Sequence, residues 1–217
     1  MNKKALLIGA TGLTGQECLN MLLKDEYYSA VGIWVRRSTG MVHEKLVEKI
    51  IDFDKLHQAD CTRADHLFCC LGTTIGKAGS QAAFTRIDRD YVVECGRIAD
   101  KSDTEKFLYV SSLGANKDSG NFYLRTKGKV EESLRQMSIP AVIIFRPSML
   151  LGNRSEFRLG EKIGKGVMAI FQFMLVGSLR KYRGVQASQV AKAMINEAKS
   201  KNDNGFRIIE SDRIQEY

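Results

Sequence analysis

The sequence predicts an α/β fold built on a doubly wound parallel sheet, and two observations carry that prediction. Short apolar runs of strand length recur at residues 4–8, 30–35, 47–51, 66–71, 106–111, 141–145 and 206–209. Segments around 15–24, 81–100, 123–137 and 187–199 separate most of them and repeat apolar residues every three to four positions, as helices do. Strands alternating with helices are joined by crossovers, which makes neighbouring strands parallel and covers both faces of the sheet. Ligands of such sheets sit beyond the carboxyl ends of the strands, so the residues just after each strand are the site candidates.

The first run, Ala5-Leu6-Leu7-Ile8, ends in Gly9-Ala10-Thr11-Gly12-Leu13-Thr14-Gly15 and leads into a helical pattern carrying Cys18, Leu19, Leu22 and Leu23. Backbone N–H groups at such a strand-to-helix turn lie at the positive end of the helix dipole, where a dinucleotide's pyrophosphate can sit. Gly12 has no Cβ to keep phosphates away, and Gly15 lets the helix pack closely on the strand. The second run, Ala30 to Val35, completes a βαβ unit of Rossmann type and is followed by Arg36 and Arg37. An acidic residue there would take both ribose hydroxyls of NAD, whereas guanidinium groups pair with the 2′-phosphate of NADP, so the arginines point to NADPH.

Asp52 follows the third run, with Phe53 next to it. Its carboxylate either accepts from an adenine amino group, with the neighbouring backbone donating to the ring, or serves as an ordinary turn former. Leu71-Gly72-Thr73-Thr74 after the fourth run is a small polar turn suited to the pyrophosphate and nicotinamide ribose. Gly76, Lys77 and Gly79 extend it as a basic loop.

The fifth run ends in Tyr109-Val110-Ser111-Ser112, and Tyr123 and Lys127 stand four apart on the following helix, sharing a face. An ammonium beside Tyr123 favours phenolate and prepares the group for proton transfer to a substrate oxygen. Lys127 also suits a nicotinamide ribose, and Ser112 suits the reacting carbonyl, whose developing negative charge a hydroxyl stabilises. Pro147 ends the sixth strand, because proline cannot donate to a ladder, and turns the chain toward the nicotinamide.

At 217 residues the chain reads as one nucleotide-binding domain, 1–217, with residues 153–183 as a candidate lid over the substrate. The apolar stripe in that segment faces either the pocket or, as favoured here, the core. Net charge is +8, but the basic residues are scattered and aromatics do not interleave with them, so no nucleic-acid surface is expected. The longest apolar stretch, 166–177, is too short to span a bilayer. Met1-Asn2-Lys3-Lys4 runs directly into a core strand instead of a signal pattern, so the expected location is cytoplasmic. Cys18, Cys61, Cys69, Cys70 and Cys95 contain no CxxC pair and are expected as reduced thiols, with no metal site.

These residues resemble the atypical, extended-type short-chain dehydrogenase/reductases, and within them the Tat-interacting-protein family of NADPH-binding oxidoreductases. The likeness runs through the glycine turn, Arg36-Arg37, Phe68-Cys69-Cys70-Leu71-Gly72-Thr73-Thr74 with Gly76-Lys77-Ala78-Gly79, Asp88-Arg89-Asp90-Tyr91-Val92, Ser111-Ser112, Tyr123 with Lys127, and Arg146-Pro147. It implies that the glycine turn, Arg36, Arg37, Asp52 and Leu71 to Thr73 hold NADPH, and that Ser112, Tyr123 and Lys127 form the catalytic set. Asp88, Arg89 and Asp90 depart from the asparagine that many classical members place in the proton relay.

The resulting expectation is an NADPH-dependent oxidoreductase acting on a small carbonyl or alcohol. A reading from another class is a non-catalytic redox-sensing module, in which NADPH occupancy orders 153–183 and changes contact with a protein partner. A sugar-nucleotide epimerase-like enzyme shares the extended plan and is a weaker resemblance.

Overall fold

Alternate residues of the first strand enter two separate cores, Ala5 and Leu7 on one face of a sheet and Leu6 and Ile8 on the other. That strand, β1 (Lys3–Ile8), is therefore buried on both sides, as its uninterrupted apolar run requires. The computed structural model describes residues 3–58, 63–152, 177–201 and 204–217. After β1 come helix α1 (Leu13–Lys24), β2 (Tyr28–Val35), β3 (Leu46–Ile50) and β4 (His66–Cys69). Two short helices, α2 (Ile75–Ala78) and α3 (Gln81–Thr85), lead through a π-helical segment, Arg86–Asp90, into α4 (Tyr91–Lys101). Strand β5 (Lys106–Val110), α5 (Phe122–Arg135) and β6 (Ala141–Arg146) follow, then β7 (Leu150–Leu151), β8 (Val185–Gln186), α6 (Ala187–Lys199), β9 (Gly205–Glu210) and a short α7 (Ser211–Ile214).

The seven-stranded sheet runs β3-β2-β1-β4-β5-β6-β9 and is parallel throughout, while β7 and β8 form a separate small parallel pair. The doubly wound fold is as expected, and all seven strands lie where the apolar runs placed them. Strand order reverses between β1 and β4, so the turns that follow these two strands flank the crevice where ligands of open α/β sheets bind. One core holds α1 and α6 against Phe68, Leu108 and Phe145, and the other holds α4 and α5 against Leu67, Cys69 and Tyr109. Adjacent Cys69 and Cys70 thus face opposite cores. Both are free thiols, as are Cys18 and Cys95, while Cys61 lies outside the described residues.

Three sequence expectations are corrected. The run 66–71 leaves the sheet after Cys69, its last ladder bond passing from Cys70 N–H to Ile8 O at 2.8 Å. The helix expected to end at 137 stops at Arg135. The continuous helix expected over 81–100 is broken at Arg86–Asp90, where an i→i+5 segment buries Asp88 while Asp90 stays exposed. Apolar spacing does not report such a bulge, because Phe84 and Val92 keep facing the core on either side of it. Of the candidate lid, residues 153–176 lie outside the described residues, and Gly177–Tyr182 forms a 3₁₀ turn.

Gly9 has φ +85°, and a Cβ there would fall 2.6 Å from the backbone of Cys70, so the turns after β1 and β4 touch through it. A Cβ on Gly15 would lie 2.0 Å from Gly9 O, which makes Gly15 the close-packing residue the turn demands. Gly15→Ala is therefore expected to cost about 3 kcal/mol or more, at the upper end of overpacking penalties, because the obstacle is backbone and cannot rotate away. Denaturant titration checks this, and a midpoint equal to wild type would show that the helix can slide off the strand without loss.

Candidate functional site

The turn after β1 opens α1 without a side-chain cap, Gly12 occupying the N-cap position in extended backbone. By contrast, Ser80, Asn121 and Thr74 cap α3, α5 and α2 with side-chain oxygens. The first-turn N–H groups of α1 thus remain open at the positive end of its dipole. Thr11 and Gly12 are exposed, Leu13 is half-buried, and the Thr14 hydroxyl is buried with no hydrogen-bond partner among the described residues. A Cβ on Gly12 would meet Gly9 O at 3.3 Å, a tight but not prohibitive contact, so the fold makes a weaker demand for glycine there than at Gly9 or Gly15. An uncapped helix start, a partnerless buried hydroxyl and an exposed glycine fit a diphosphate.

Arg36 and Arg37 are exposed beyond β2 and have no ion-pair or hydrogen-bond partner among the described residues. Their loop is pinned by Glu48 of β3, which accepts from Ser38 Oγ at 2.5 Å and from Thr39 N–H at 2.9 Å. Those bonds hold the Glu48 carboxyl below its ordinary range. The sequence reading passed over Glu48, whose only signal is its polar character within an edge strand. Asp52 is exposed and its Oδ1 accepts from Asp54 N–H at 3.0 Å, the turn-forming alternative of the two considered. Phe53 is buried against Tyr91, ring centroids 5.6 Å apart.

The turn after β4 carries Leu71, Gly72 and Thr73 directly to a buried ion pair. Thr73 N–H donates to Asp88 Oδ2 at 2.8 Å, and Asp88 Oδ1 lies 2.9 Å from Lys127 Nζ. Lys127 Nζ also donates to Tyr109 Oη at 3.0 Å. Burial opposes the ammonium, but Tyr109, Asp88 and Tyr123 around it outweigh that and hold Lys127 well above the ordinary lysine range. Among them Asp88 supplies the full counter-charge, because burial pushes the Tyr109 phenol far up. Of the ammonium's three donors, one makes a described hydrogen bond, to Tyr109; Asp88 Oδ1 pairs with it by charge and has no hydrogen-bond partner among the described residues.

The sequence paired Lys127 with Tyr123, and both do stand on α5, with Tyr123 near enough to favour the ammonium electrostatically. Its direct partners, however, are Asp88 and Tyr109. Tyr123 is half-buried, its ring 5.8 Å from that of Phe84. The two serines after β5 divide. Ser111 is buried and donates to Glu131 Oε1 at 2.5 Å, whereas half-buried Ser112 makes only a local 3.4 Å contact with Leu113 O. Glu131, one turn beyond Lys127 on α5, also receives Arg146 Nε at 3.0 Å and ties the end of β6 to the end of β5. Pro147 is buried beside this knot, its carbonyl accepting from Leu113 N–H at 2.9 Å. Glu131 continues the Tyr123-Lys127 spacing by four, a signal present in the sequence; Tyr109 gave no signal beyond its strand.

Residues 4–88, from β1 to the buried carboxylate, match the family model of the semialdehyde dehydrogenase NAD-binding domain. The rat protein HTATIP2 is 33% identical to the chain over 98% of its length and 88% of the rat protein's. The chain belongs to the HTATIP2 family. A mitochondrial protein FMP52 from Debaryomyces hansenii is 30% identical over 89% of the chain and 87% of its own length. Among solved structures, the Bordetella bronchiseptica enzyme WbmH in complex with NAD+ superposes with a TM-score of 0.70, 14% identity, and coverage of 97% of this chain and 76% of that one. The UDP-N-acetylglucosamine 4-epimerase of Methanobrevibacter ruminantium gives 0.67 at 17% identity, covering 96% and 76%. At such identities the likeness to the two solved enzymes is one of fold.

For this member of the HTATIP2 family the cytoplasmic expectation is corrected, since the FMP52 relatives are named mitochondrial. That expectation leaned on an N-terminus that runs straight into a strand, and a strand's position in a sheet says nothing about the compartment in which the folded domain works. No helix among the described residues is long and apolar enough to cross a membrane.

Proposed function

We propose that the protein is an NADPH-dependent oxidoreductase that reduces a small carbonyl compound. The observation that carries this reading is the Lys127 ammonium, held in the protein interior by Asp88 and Tyr109 with Tyr123 on the same helix, next to the turn after β4 that touches the glycine turn. The open N–H groups of α1, with Gly9, Thr11, Gly12, Leu13, Thr14 and Gly15, would hold the diphosphate, and Leu71, Gly72, Thr73 and Pro147 would border the nicotinamide end. Asp52 and Phe53 remain proposed for the adenine side, Asp52 through the carboxylate oxygen not engaged by Asp54. The chemistry supplied by bound NADPH is a hydride.

The remaining steps belong to the chain's own residues. Ser112 donates to the carbonyl oxygen and stabilises its growing negative charge. Tyr123 gives that oxygen a proton from its Oη. Lys127 lends its positive charge to the resulting phenolate and an open donor to a ribose hydroxyl. Glu131 and Arg146 hold the Ser111-Ser112 turn in place.

Coenzyme choice tests the reading first. Two guanidinium groups facing a 2′-phosphate should make NADPH bind more tightly than NADH by about 3 kcal/mol, on the order of 10²-fold. Arg36→Ala with Arg37→Ala should erase the difference in a calorimetric titration. A wild-type protein that prefers NADH would reject the assignment. Coenzyme oxidation followed across a panel of small aldehydes and ketones then reads turnover, and tight NADPH binding without any substrate would favour a binding module instead.

A further inference from the structure

Asp88 is completely buried, yet each of its oxygens faces a different element: Oδ2 accepts the Thr73 N–H from the turn after β4, and Oδ1 stands 2.9 Å from the Lys127 ammonium of α5 as an ion pair, with no hydrogen-bond partner among the described residues. We propose that Asp88 is a positioning residue of the site, a clamp that locks the catalytic lysine and the nicotinamide-side turn to one another. The function it serves rests on the oxidoreductase reading; the clamp itself rests on geometry alone.

Three features of the chain converge on this carboxylate. The π-helical segment Arg86–Asp90 interrupts α3 and α4 just where Asp88 turns inward, and such segments carry an extra residue per turn that re-aims a side chain. Gly72 stands over the pair: a Cβ there would lie 3.6 Å from Asp88 Oδ1 and 3.8 Å from Lys127 Nζ, so the turn's backbone rests on the two charges without a side chain between. Finally, a buried ion pair is a poor source of stability, since well-packed apolar side chains of similar volume do as well or better. What the pair provides instead is a fixed point. With its charge paired to Asp88 and one donor taken by Tyr109, the Lys127 ammonium is held at a fixed place relative to Thr73, which the other Asp88 oxygen binds.

The test reads Lys127 directly, by nitrogen NMR of labelled lysine side chains, with Lys127→Met assigning the signal. The ionisable groups around Lys127 are Asp88 from the π segment, Tyr109 from β5 and Tyr123 from α5. Asp88→Asn keeps an acceptor for Thr73 N–H and puts an amide NH2 where the charged oxygen faced Lys127, so the buried ammonium should lose proton affinity by about tenfold or more. NADPH-dependent turnover of Asp88→Asn should then fall on the alkaline side, at the pH where Lys127 deprotonates, in a range where wild type is flat. Identical Lys127 titrations in both proteins would overturn the clamp, as would a shifted titration with an unchanged pH profile. If the variant does not fold, wild type decides alone: the Lys127 ammonium protons should exchange slowly enough to be seen, and their absence would overturn the proposal. A wild-type protein without NADPH binding or turnover would reject the oxidoreductase reading while the NMR comparison still judges Asp88.

Discussion

Replacing Tyr123 by phenylalanine is expected to lower carbonyl reduction by roughly 10²- to 10⁴-fold, the range that a positioned general acid contributes. NADPH affinity should stay close to that of wild type. The reason is the division of labour around α5. Lys127 is held by Asp88 and Tyr109, neither of which Tyr123→Phe touches, so the ammonium keeps its place and its open donor. Phenylalanine also preserves the ring that packs 5.8 Å from Phe84, which leaves the start of the helix seated. Only the hydroxyl is lost, and with it the proton delivered to the substrate oxygen. A fall in kcat with little change in coenzyme binding is the signature of an interaction made in the transition state. A Tyr123→Phe protein that reduces substrate at the wild-type rate would remove the phenol from the chemistry and shift attention to Tyr109.

The second large effect lies at the opposite end of the sheet. His66 begins β4, is about 1% exposed, and its Nδ1 stands 2.9 Å from Tyr28 Oη. Burial, reinforced by the nearby Lys106 ammonium, pushes the imidazole down to about 4. The neutral ring shares a hydrogen bond with the Tyr28 hydroxyl at Nδ1, and its Nε2 stands 3.8 Å from Glu105 Oε2. In the unfolded chain the ring protonates near its ordinary value of about 6.5. Between these two values the unfolded state binds more protons, so stability contributed by the neutral ring is complete above pH ~6.5 and is lost as pH falls toward ~4. The loss amounts to about 2 kcal/mol by pH ~5 and roughly 3 kcal/mol in full. Denaturant titrations of wild type and His66→Gln across that window check it. The variant should lose the His66 part of the slope, and equal slopes would show that the ring is free to protonate in the folded protein.

The two predictions also separate the ends of the molecule. Acid should weaken the amino-end cluster of His66, Tyr28, Lys3 and Glu105 without touching the residues that face the crevice. A loss of activity that follows stability is therefore distinguishable from one that follows Tyr123 or Lys127.

The glycine turn, the Tyr123-Lys127 spacing and the seven strands were legible because each is a local pattern. Gly9, Gly12 and Gly15 announce a turn by residue type, and strands buried on both faces announce themselves by uninterrupted apolar runs. Asp88 was visible through the family resemblance, in the stretch where classical members place the relay asparagine, but nothing in its neighbours along the chain says that it, and not Arg89 or Asp90, faces inward. Its inward turn needs the π segment, and its partners come from the turn after β4 and from α5, 15 and 39 residues away. The sequence assigned Ser112 to the carbonyl, and the structure adds that Ser111 is taken by Glu131, which Arg146 holds in turn.

By itself, then, the amino-acid order determined which segments are strands, which are helices, and which turns follow the strands, because burial periodicity and backbone propensity act over a few residues. Only the tertiary structure decided which charged groups meet. The reversal of strand order between β1 and β4 brings the two turns together, and the bulge before α4 swings Asp88 onto Lys127. Buried charges must find a counter-charge wherever the packed elements leave one, and that choice is made across the sheet, at separations no local pattern records.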